Sequence, residues 1–465
     1  MRAGRIHLIG IGGAGMSAIA LVLLERGIPV SGSDIKESRH TARLREMGAE
    51  VFIGHRPSNV DGCELVVYSS AIPENNPELA EARRRGLPVL RRAEMLGRLM
   101  AEGKGIAVAG THGKTTTTSM LAMIIRRAGL DPTYIVGGEL NDVGSNAYSG
   151  RGDYVVAEAD ESDGSFLFLH PWSAVITNVE LDHPDFYPDE ETLKDYFRRF
   201  LATVSPDGFV VLNGDDRFCR ELADGCPGRA ITFGEGAGCD YRFGAVEISS
   251  GGSSFRLWAG SECLGVVRLQ VPGRHNVANA TAAAAAALSL GVEFDSVAEA
   301  LEGFRGVRRR FQFVDEVEGI RFIDDYAHHP TEIRAVLQTA RQEGFRRVVC
   351  LFQPHRYSRV STLWRELGEA LGEADLVVLT EIYPAGESPI PGVNSKLVLD
   401  ALLERHPECQ AVFLPERATL GESAARFLRP GDLVVVMGAG DISQCAHEMP
   451  RLFREGRKEK ARAAG

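Results

Sequence analysis

The chain holds eight cysteines but no C-x-x-C pair, and Cys63, Cys219, Cys226, Cys239, Cys263, Cys350, Cys409 and Cys445 lie scattered along it. That pattern excludes a zinc ribbon or a disulfide framework and predicts small buried thiols in a reducing compartment. No window reaches the roughly 18 consecutive apolar residues that a bilayer span requires. Met1-Arg-Ala-Gly-Arg-Ile-His runs straight into a strand without an apolar leader core, so a cytoplasmic protein with no membrane attachment is expected. Positive charge is not in excess. The formal charge of −11 and a pI near 5.7 leave no electrostatic footprint for nucleic acid. Short-period repeats and low-complexity linkers are missing too, apart from one alanine run. What remains, 465 residues with 44% hydrophobic and 25% charged, is the composition of a globular chain of about three domains.

The most informative stretch is Gly105-Ile-Ala-Val-Ala-Gly-Thr-His-Gly-Lys-Thr-Thr-Thr-Thr-Ser119. An apolar strand (Ile106 to Ala109) enters a glycine turn, followed by Lys114 and a helical segment, Ser119 to Ala128. In that order, backbone N–H groups of Gly110, Thr111, His112, Gly113, Thr115 and Thr116 face a nucleoside triphosphate. Lys114 reaches its outer phosphates and the Thr115 hydroxyl meets Mg²⁺. The loop is shorter than G-x-x-x-x-G-K-[ST], because Val108 occupies the first glycine position. ATP or GTP binding is predicted.

Around this loop the sequence falls into three strand-and-helix blocks, 1–103, 104–306 and 307–465. In the first, strands at Ile6–Ile9, Pro29–Ser31, Val51–Ile53 and Leu65–Ser69 alternate with helices such as Ala14–Arg26, which predicts a doubly wound parallel sheet. Gly10-Ile-Gly12-Gly13-Ala14-Gly15 follows the first strand and opens a helix, and Asp34 lies 19 residues beyond Gly15. This is a diphosphate site with Asp34 toward a ribose; it fits a nicotinamide dinucleotide or a UDP-sugar equally. Ser69 and Ser70 follow a neighbouring strand and add donors to the same ligand. The middle block carries further strands at Tyr154–Ala157, Ala174–Thr177 and Phe209–Leu212. A small antiparallel patch is expected from Asp240 to Val271, then an alanine-rich helix, Asn276–Leu290. The last block again alternates strands and helices and ends in a charged tail from Arg454, expected to fray.

Glu158, first after an apolar strand, is placed where a P-loop sheet needs a Mg²⁺ carboxylate. His183, beyond the strand Ala174–Thr177, is a second candidate ligand. Asn276 and Asn279, three apart at a helix start, share a face that can meet a nucleotide.

Taken together these segments resemble the ATP-dependent Mur ligases of peptidoglycan synthesis. The resemblance rests on Gly110-Thr-His-Gly-Lys-Thr-Thr-Thr-Thr-Ser-Met120, Glu158-Ala-Asp-Glu-Ser-Asp-Gly-Ser-Phe166, Thr177-Asn-Val-Glu-Leu-Asp-His183 and Gly273-Arg-His-Asn-Val-Ala-Asn-Ala280. It continues through Gly306-Val-Arg-Arg-Arg-Phe311, Asp324-Asp-Tyr-Ala-His-His-Pro330 and Phe352-Gln-Pro-His-Arg-Tyr-Ser-Arg359, and so covers essentially the whole chain. Pro184 departs from the hydrophobic residue the pattern has after its histidine. Within the family the sequence looks most like the branch that adds L-alanine to UDP-N-acetylmuramate, with the branch that recycles a tripeptide as the alternative.

The resemblance implies a Rossmann-like first domain holding the UDP-sugar, a central ATPase domain with the antiparallel patch, and a Rossmann-like third domain delivering the amino acid. It implies ATP and Mg²⁺ as cofactors and a monomer or weak homodimer. It further implies that Thr115 and Glu158 hold one metal ion and His183 a second. Asn276, Asn279 and Tyr326 would meet the nucleotide, and Arg309 or Arg310 the transferring phosphate. Arg356 and Arg359, with Asp325 near them, would take the alanine carboxylate, whose geometry a guanidinium fork matches. His355, His328 or Asp325 would take the amine proton.

Overall fold

The computed structural model describes residues 4–141, 144–249 and 251–463, without the side chains of 456–463. Three sheets follow one another. The first has five parallel strands in the order Glu50–Ile53, Val30–Asp34, Arg5–Ile9, Cys63–Tyr68 and Val89–Arg91. The apolar runs of its inner strands are buried on both faces, as a sheet covered by helices on each side requires.

The central sheet has ten strands. Five parallel ones (Arg229–Gly234, Phe209–Asn213, Ser173–Ile176, Lys104–Ala109 and Tyr154–Glu158) form its middle. At one edge the predicted antiparallel patch is present as Tyr241–Ser249, Gly252–Ala259 and Glu262–Leu269. At the other edge lies a hairpin that sequence reading passes over, Thr133–Leu140 and Ser145–Tyr148. The third sheet has five parallel strands edged by an antiparallel one, Gln312–Val317.

Two helices fix the phosphate loop. Lys114–Arg127 begins at Gly113, whose φ of +81° glycine adopts without strain, and packs against the alanine-rich helix Arg274–Ser289. Alanine allows the close approach: Ala280 and Ala282 to Ala287 are all fully buried. A Cβ on Gly113 would stand 2.3 Å from Asn279 Oδ1, so both the backbone angle and the contact demand glycine there.

The first sheet docks on the hairpin. Helix Ala14–Glu25 packs against both its strands, Asn146 Nδ2 donates to the Ala14 carbonyl at 3.0 Å, and Arg43 donates to Gly144 O at 2.8 Å. All eight cysteines are free; Cys263 is exposed, against the expectation of burial. The final helix, Ser443–Ala463, runs through Arg454 into the charged tail, and 464–465 lie outside the described residues. Among the described residues no helix is long and apolar enough to cross a membrane.

Candidate active site

Strand Lys104–Ala109 delivers the phosphate loop to the mouth of a cleft of about 560 Å³ where all three sheets meet. Its walls include Ala14 and Gly15 of the first domain, Thr111, Lys114, Thr115, Glu158 and His183 of the second, and Arg309, Arg310, Tyr326, His328, His355, Arg356 and Arg359 of the third. Residues read from separate motifs are thus brought to one cavity.

Lys114 Nζ is folded over the loop. It donates to the carbonyls of Gly110 (2.7 Å) and Thr111 (3.1 Å) and lies 2.8–2.9 Å from both oxygens of Glu161. Burial opposes the ammonium, but the carboxylates of Glu161, Asp160 and Glu158 outweigh it and raise its pKa to about 12. Glu161, itself buried, is pushed up to about 7 by desolvation against the pull of Lys114. It stands in the motif Glu158-Ala-Asp-Glu161 that sequence reading singles out, yet its pairing with a lysine 47 residues away has no sequence signal.

The Thr115 hydroxyl meets the Glu158 carboxylate at 3.0–3.1 Å, and Glu158 also accepts the Gly137 N–H at 2.8 Å. A hydroxyl and a carboxylate facing one cavity are the hard oxygen donors that Mg²⁺ takes. His183, at φ +56°, is held by its loop: its N–H donates to Asp182 at 2.7 Å and its carbonyl accepts from Phe186 and Tyr187. Burial lowers its pKa, which leaves a neutral imidazole able to ligate. Pro184 therefore does not remove His183 from the site.

His112 does not line the cleft. Its ring is 2.9 Å from Glu180 and 3.4 Å from Glu332 of the third domain. Burial would lower its pKa, but those two carboxylates raise it to about 9, so it is a cation bridging two domains. Among the described residues, His112, Glu180 and His329 form the one group of three metal-type side chains in close range, and protonation of His112 opposes a cation there. Gly110 and Thr116 shape the loop without lining the cleft.

Several side chains are engaged otherwise than sequence reading expects. Asn276 Nδ2 donates to Pro272 O at 2.7 Å at the start of its own helix, and Asn279 Oδ1 accepts from Thr117 at 3.3 Å and so buttresses the loop; both are buried and neither lines the cleft. Asp34 accepts the N–H groups of Gly12 (2.9 Å) and Ile35 (2.8 Å), so it braces the glycine turn instead of standing free for a ribose. Gly10 and Gly13 close that turn on themselves, with Gly13 N donating to Gly10 O at 3.1 Å. Ser69 lies beside Gly10, and Ser70 lines a separate pocket with Tyr68, Arg91 and Arg92.

In the third domain, Arg309 (φ +59°) turns its guanidinium onto the carbonyls of Gly438 (2.5 Å) and Gly440 (3.2 Å). Arg310 instead faces Glu332, at 3.7 Å, and both guanidinium groups lie on the Tyr326 ring, at 4.9 and 5.2 Å. Both line the cleft, and among the described residues only Arg309 of the two has its guanidinium tied to backbone carbonyls, which leaves Arg310 the freer. Asp325 spends both oxygens on backbone N–H groups, of Phe311 (2.6 Å) and Ala327 (2.7 Å), and does not line the cavity. Burial raises its pKa to about 6. The Arg359 fork is likewise occupied: buried, it donates to Asp182 of the central domain from Nε (3.1 Å to Oδ1) and from Nη2 (2.7 Å to Oδ1 and 3.0 Å to Oδ2), which holds that carboxylate far below its usual range despite burial. Arg356 is half-open and meets Asp185 at 3.0 Å.

Of the three candidate bases, the two histidines separate by tautomer. His355 Nδ1 is 3.2 Å from Arg359, which can only donate, so its proton sits on Nε2. His328 Nδ1 is 3.0 Å from the Tyr326 carbonyl, which can only accept, so its Nε2 lone pair is free. Burial and neighbouring cations lower His328 to about 4 and His355 to about 3, keeping both neutral.

The chain matches three family models in succession: "Mur ligase family, catalytic domain" over residues 5–104, "Mur ligase middle domain" over 108–287, and "Mur ligase, glutamate ligase domain" over 309–440. A UDP-N-acetylmuramate–L-alanine ligase of Rubrobacter xylanophilus is 52% identical over 449 residues, 96% of this chain and 99% of its own. Among solved structures, a UDP-N-acetylmuramate–alanine ligase of Thermotoga maritima superposes with a TM-score of 0.82 at 32% identity, covering 97% of this chain and 99% of its own. A murein peptide ligase of Psychrobacter arcticus has a TM-score of 0.71 at 24% identity, covering 97% and 98%; that likeness is one of fold.

Proposed function

The chain belongs to the Mur ligase family, and on that footing we propose that it joins L-alanine to the carboxylate of UDP-N-acetylmuramate, driven by ATP, as a step of peptidoglycan synthesis. One observation carries the reading: a single cleft joins the end of the diphosphate turn in one domain, the phosphate loop in the next, and an arginine- and histidine-rich wall in the third. A dehydrogenase has no use for the second of these. The 52% identity to an alanine-adding relative favours alanine over the recycling of a tripeptide.

The division of labour follows the three blocks, with the sugar nucleotide in 1–103, ATP in 104–306 and the amino acid in 307–465. A carboxylate is a poor acyl donor. Its oxygen attacks the γ-phosphate of ATP, releasing ADP and giving an acyl phosphate; the neutral amine of alanine then attacks the carbonyl and phosphate leaves. Both steps build negative charge, so positioned cations do the work. Lys114 leaves Glu161 for the β- and γ-phosphates, and Arg310 reaches the transferring group. Thr115 and Glu158 would hold one Mg²⁺ and His183 a second, and metal bound there would neutralise phosphate charge. Tyr326, which lines the cleft with both guanidinium groups close to its ring, meets the adenine. His328 Nε2 accepts the amine proton, and Arg356 meets the alanine carboxylate while Arg359 holds the wall in place. A monomer or weak homodimer is part of the same reading, and the composition supports a cytoplasmic setting.

Oxygen labelling tests the chemistry. With both carboxylate oxygens of UDP-N-acetylmuramate carrying ¹⁸O, each inorganic phosphate released on adding L-alanine is expected to contain one ¹⁸O. Unlabelled phosphate would rule out the acyl phosphate.

A further inference from the structure

The end of the hairpin strand Thr133–Leu140 reaches the metal-type pair Thr115 and Glu158, the segment leading to the third domain, and the first domain. The Gly137 N–H donates to the Glu158 carboxylate. Gly138 is wedged: a Cβ there would stand 2.8 Å from Val307 and 3.1 Å from Thr115. Glu139 O accepts the Arg308 N–H at 2.9 Å, Leu140 bridges to Val307, and Asn141 takes Gly306 O (3.2 Å) and Arg305 O (3.0 Å). The segment 305–308, which leads from the central sheet to the third, is therefore clamped along this strand end.

The Glu139 side chain adds the first domain. Its carboxylate lies 2.7 Å from Arg39 of helix Arg39–Glu46 and 3.6 Å from Arg308, and it is only 17% exposed. Arg39, His40, Glu139 and Arg308 line the cleft together with Ala14 and Gly15. The local field is positive: besides burial, Arg39, Arg43 and Arg308 push the His40 imidazole toward neutrality, with Glu139 as the opposing charge. Glu139 thus keeps two arginines from different domains from repelling each other across the cavity.

We propose that Glu139 is a positioning residue that couples sugar-nucleotide binding in the first domain to the seating of segment 305–308 against the phosphate loop, and so to nucleotide binding there. The proposal rests on the reading of the first domain as the UDP-sugar site. A diphosphate arriving beside Gly15 competes with Glu139 for Arg39. Glu139, released from that contact, pairs with Arg308 alone and tightens the clamp that already seats 305–308 beside the phosphate loop. Exposed ion pairs add little to static stability; the consequence of this one is a coupling between two binding events.

Calorimetric titration of the full chain with UDP-N-acetylmuramate, with and without Mg-ADP, reads that coupling. The unsubstituted protein is expected to bind the sugar nucleotide about tenfold tighter with Mg-ADP present. In Glu139→Gln the gain is expected to shrink to within about twofold, in Arg308→Ala likewise, and Glu139→Asp, which keeps the carboxylate, is expected to recover it. An undiminished gain in both Glu139→Gln and Arg308→Ala, or no gain in the unsubstituted protein, would overturn the proposal while leaving the substrate reading intact. Failure of UDP-N-acetylmuramate to bind the unsubstituted protein at all would overturn both.

Discussion

Replacing Lys114 with alanine is expected to cut phosphate release from ATP by about 10³- to 10⁵-fold, the scale on which a single cation at a transferring phosphate acts. The loop holds the ammonium between the carbonyls of Gly110 and Thr111 and the carboxylate of Glu161, so the charge already stands where outer phosphates arrive. The fold is expected to survive. Glu161 would lose its partner, but burial already raises its pKa to about 7, and it can take up a proton rather than remain a bare buried charge. Steady-state phosphate release and circular dichroism on the same sample check both halves. A rate within tenfold of the unsubstituted protein would remove Lys114 from the chemistry.

The second large effect is expected at Arg359→Ala. Its guanidinium and Asp182 form a buried ion pair between the third and central domains. Removing one partner of such a pair costs about 3–5 kcal/mol, because the other is left charged and unpaired. Asp182 also receives the His183 N–H, and Arg359 orients the His355 ring. The loss therefore falls on domain docking and on two cleft imidazoles together. kcat/KM is expected to drop by roughly 10²- to 10³-fold, with a larger radius of gyration by small-angle scattering in the presence of substrates. The double variant Asp182→Asn with Arg359→Gln is expected to be milder than Arg359→Ala, since neither side chain is then an orphaned charge. A strictly additive double variant would show that the pair does not act as a unit.

What the sequence discloses depends on range. The phosphate loop is legible because strand, glycines, lysine and helix lie within fifteen residues, and each of those parts has a local physical reason. The antiparallel patch is legible from alternation alone. The hairpin Thr133–Leu140 is not: Gly137 and Gly138 interrupt its pattern, and their purpose is close approach to Val307 and Thr115. Strand Val89–Arg91 is too short, and helix Arg39–Glu46 too polar, to show a periodic apolar signal. Candidate site residues are legible as types but not as partners. Arg309 and Arg310 look interchangeable until a positive φ turns the first onto Gly438. Asp34 matches a ribose-binding position, yet the nearest donors are the N–H groups of its own turn. Asp182 with Arg359, and Glu161 with Lys114, join residues 177 and 47 positions apart, and spacing carries no information on such pairs.

The most direct test of the central claim is phosphate release from Mg-ATP with UDP-N-acetylmuramate, adding L-alanine, glycine, L-serine or the tripeptide in turn. The account predicts release that requires both the sugar nucleotide and L-alanine and that disappears in Lys114→Ala. Release with the tripeptide and not with L-alanine, or no release with any pair, would contradict it.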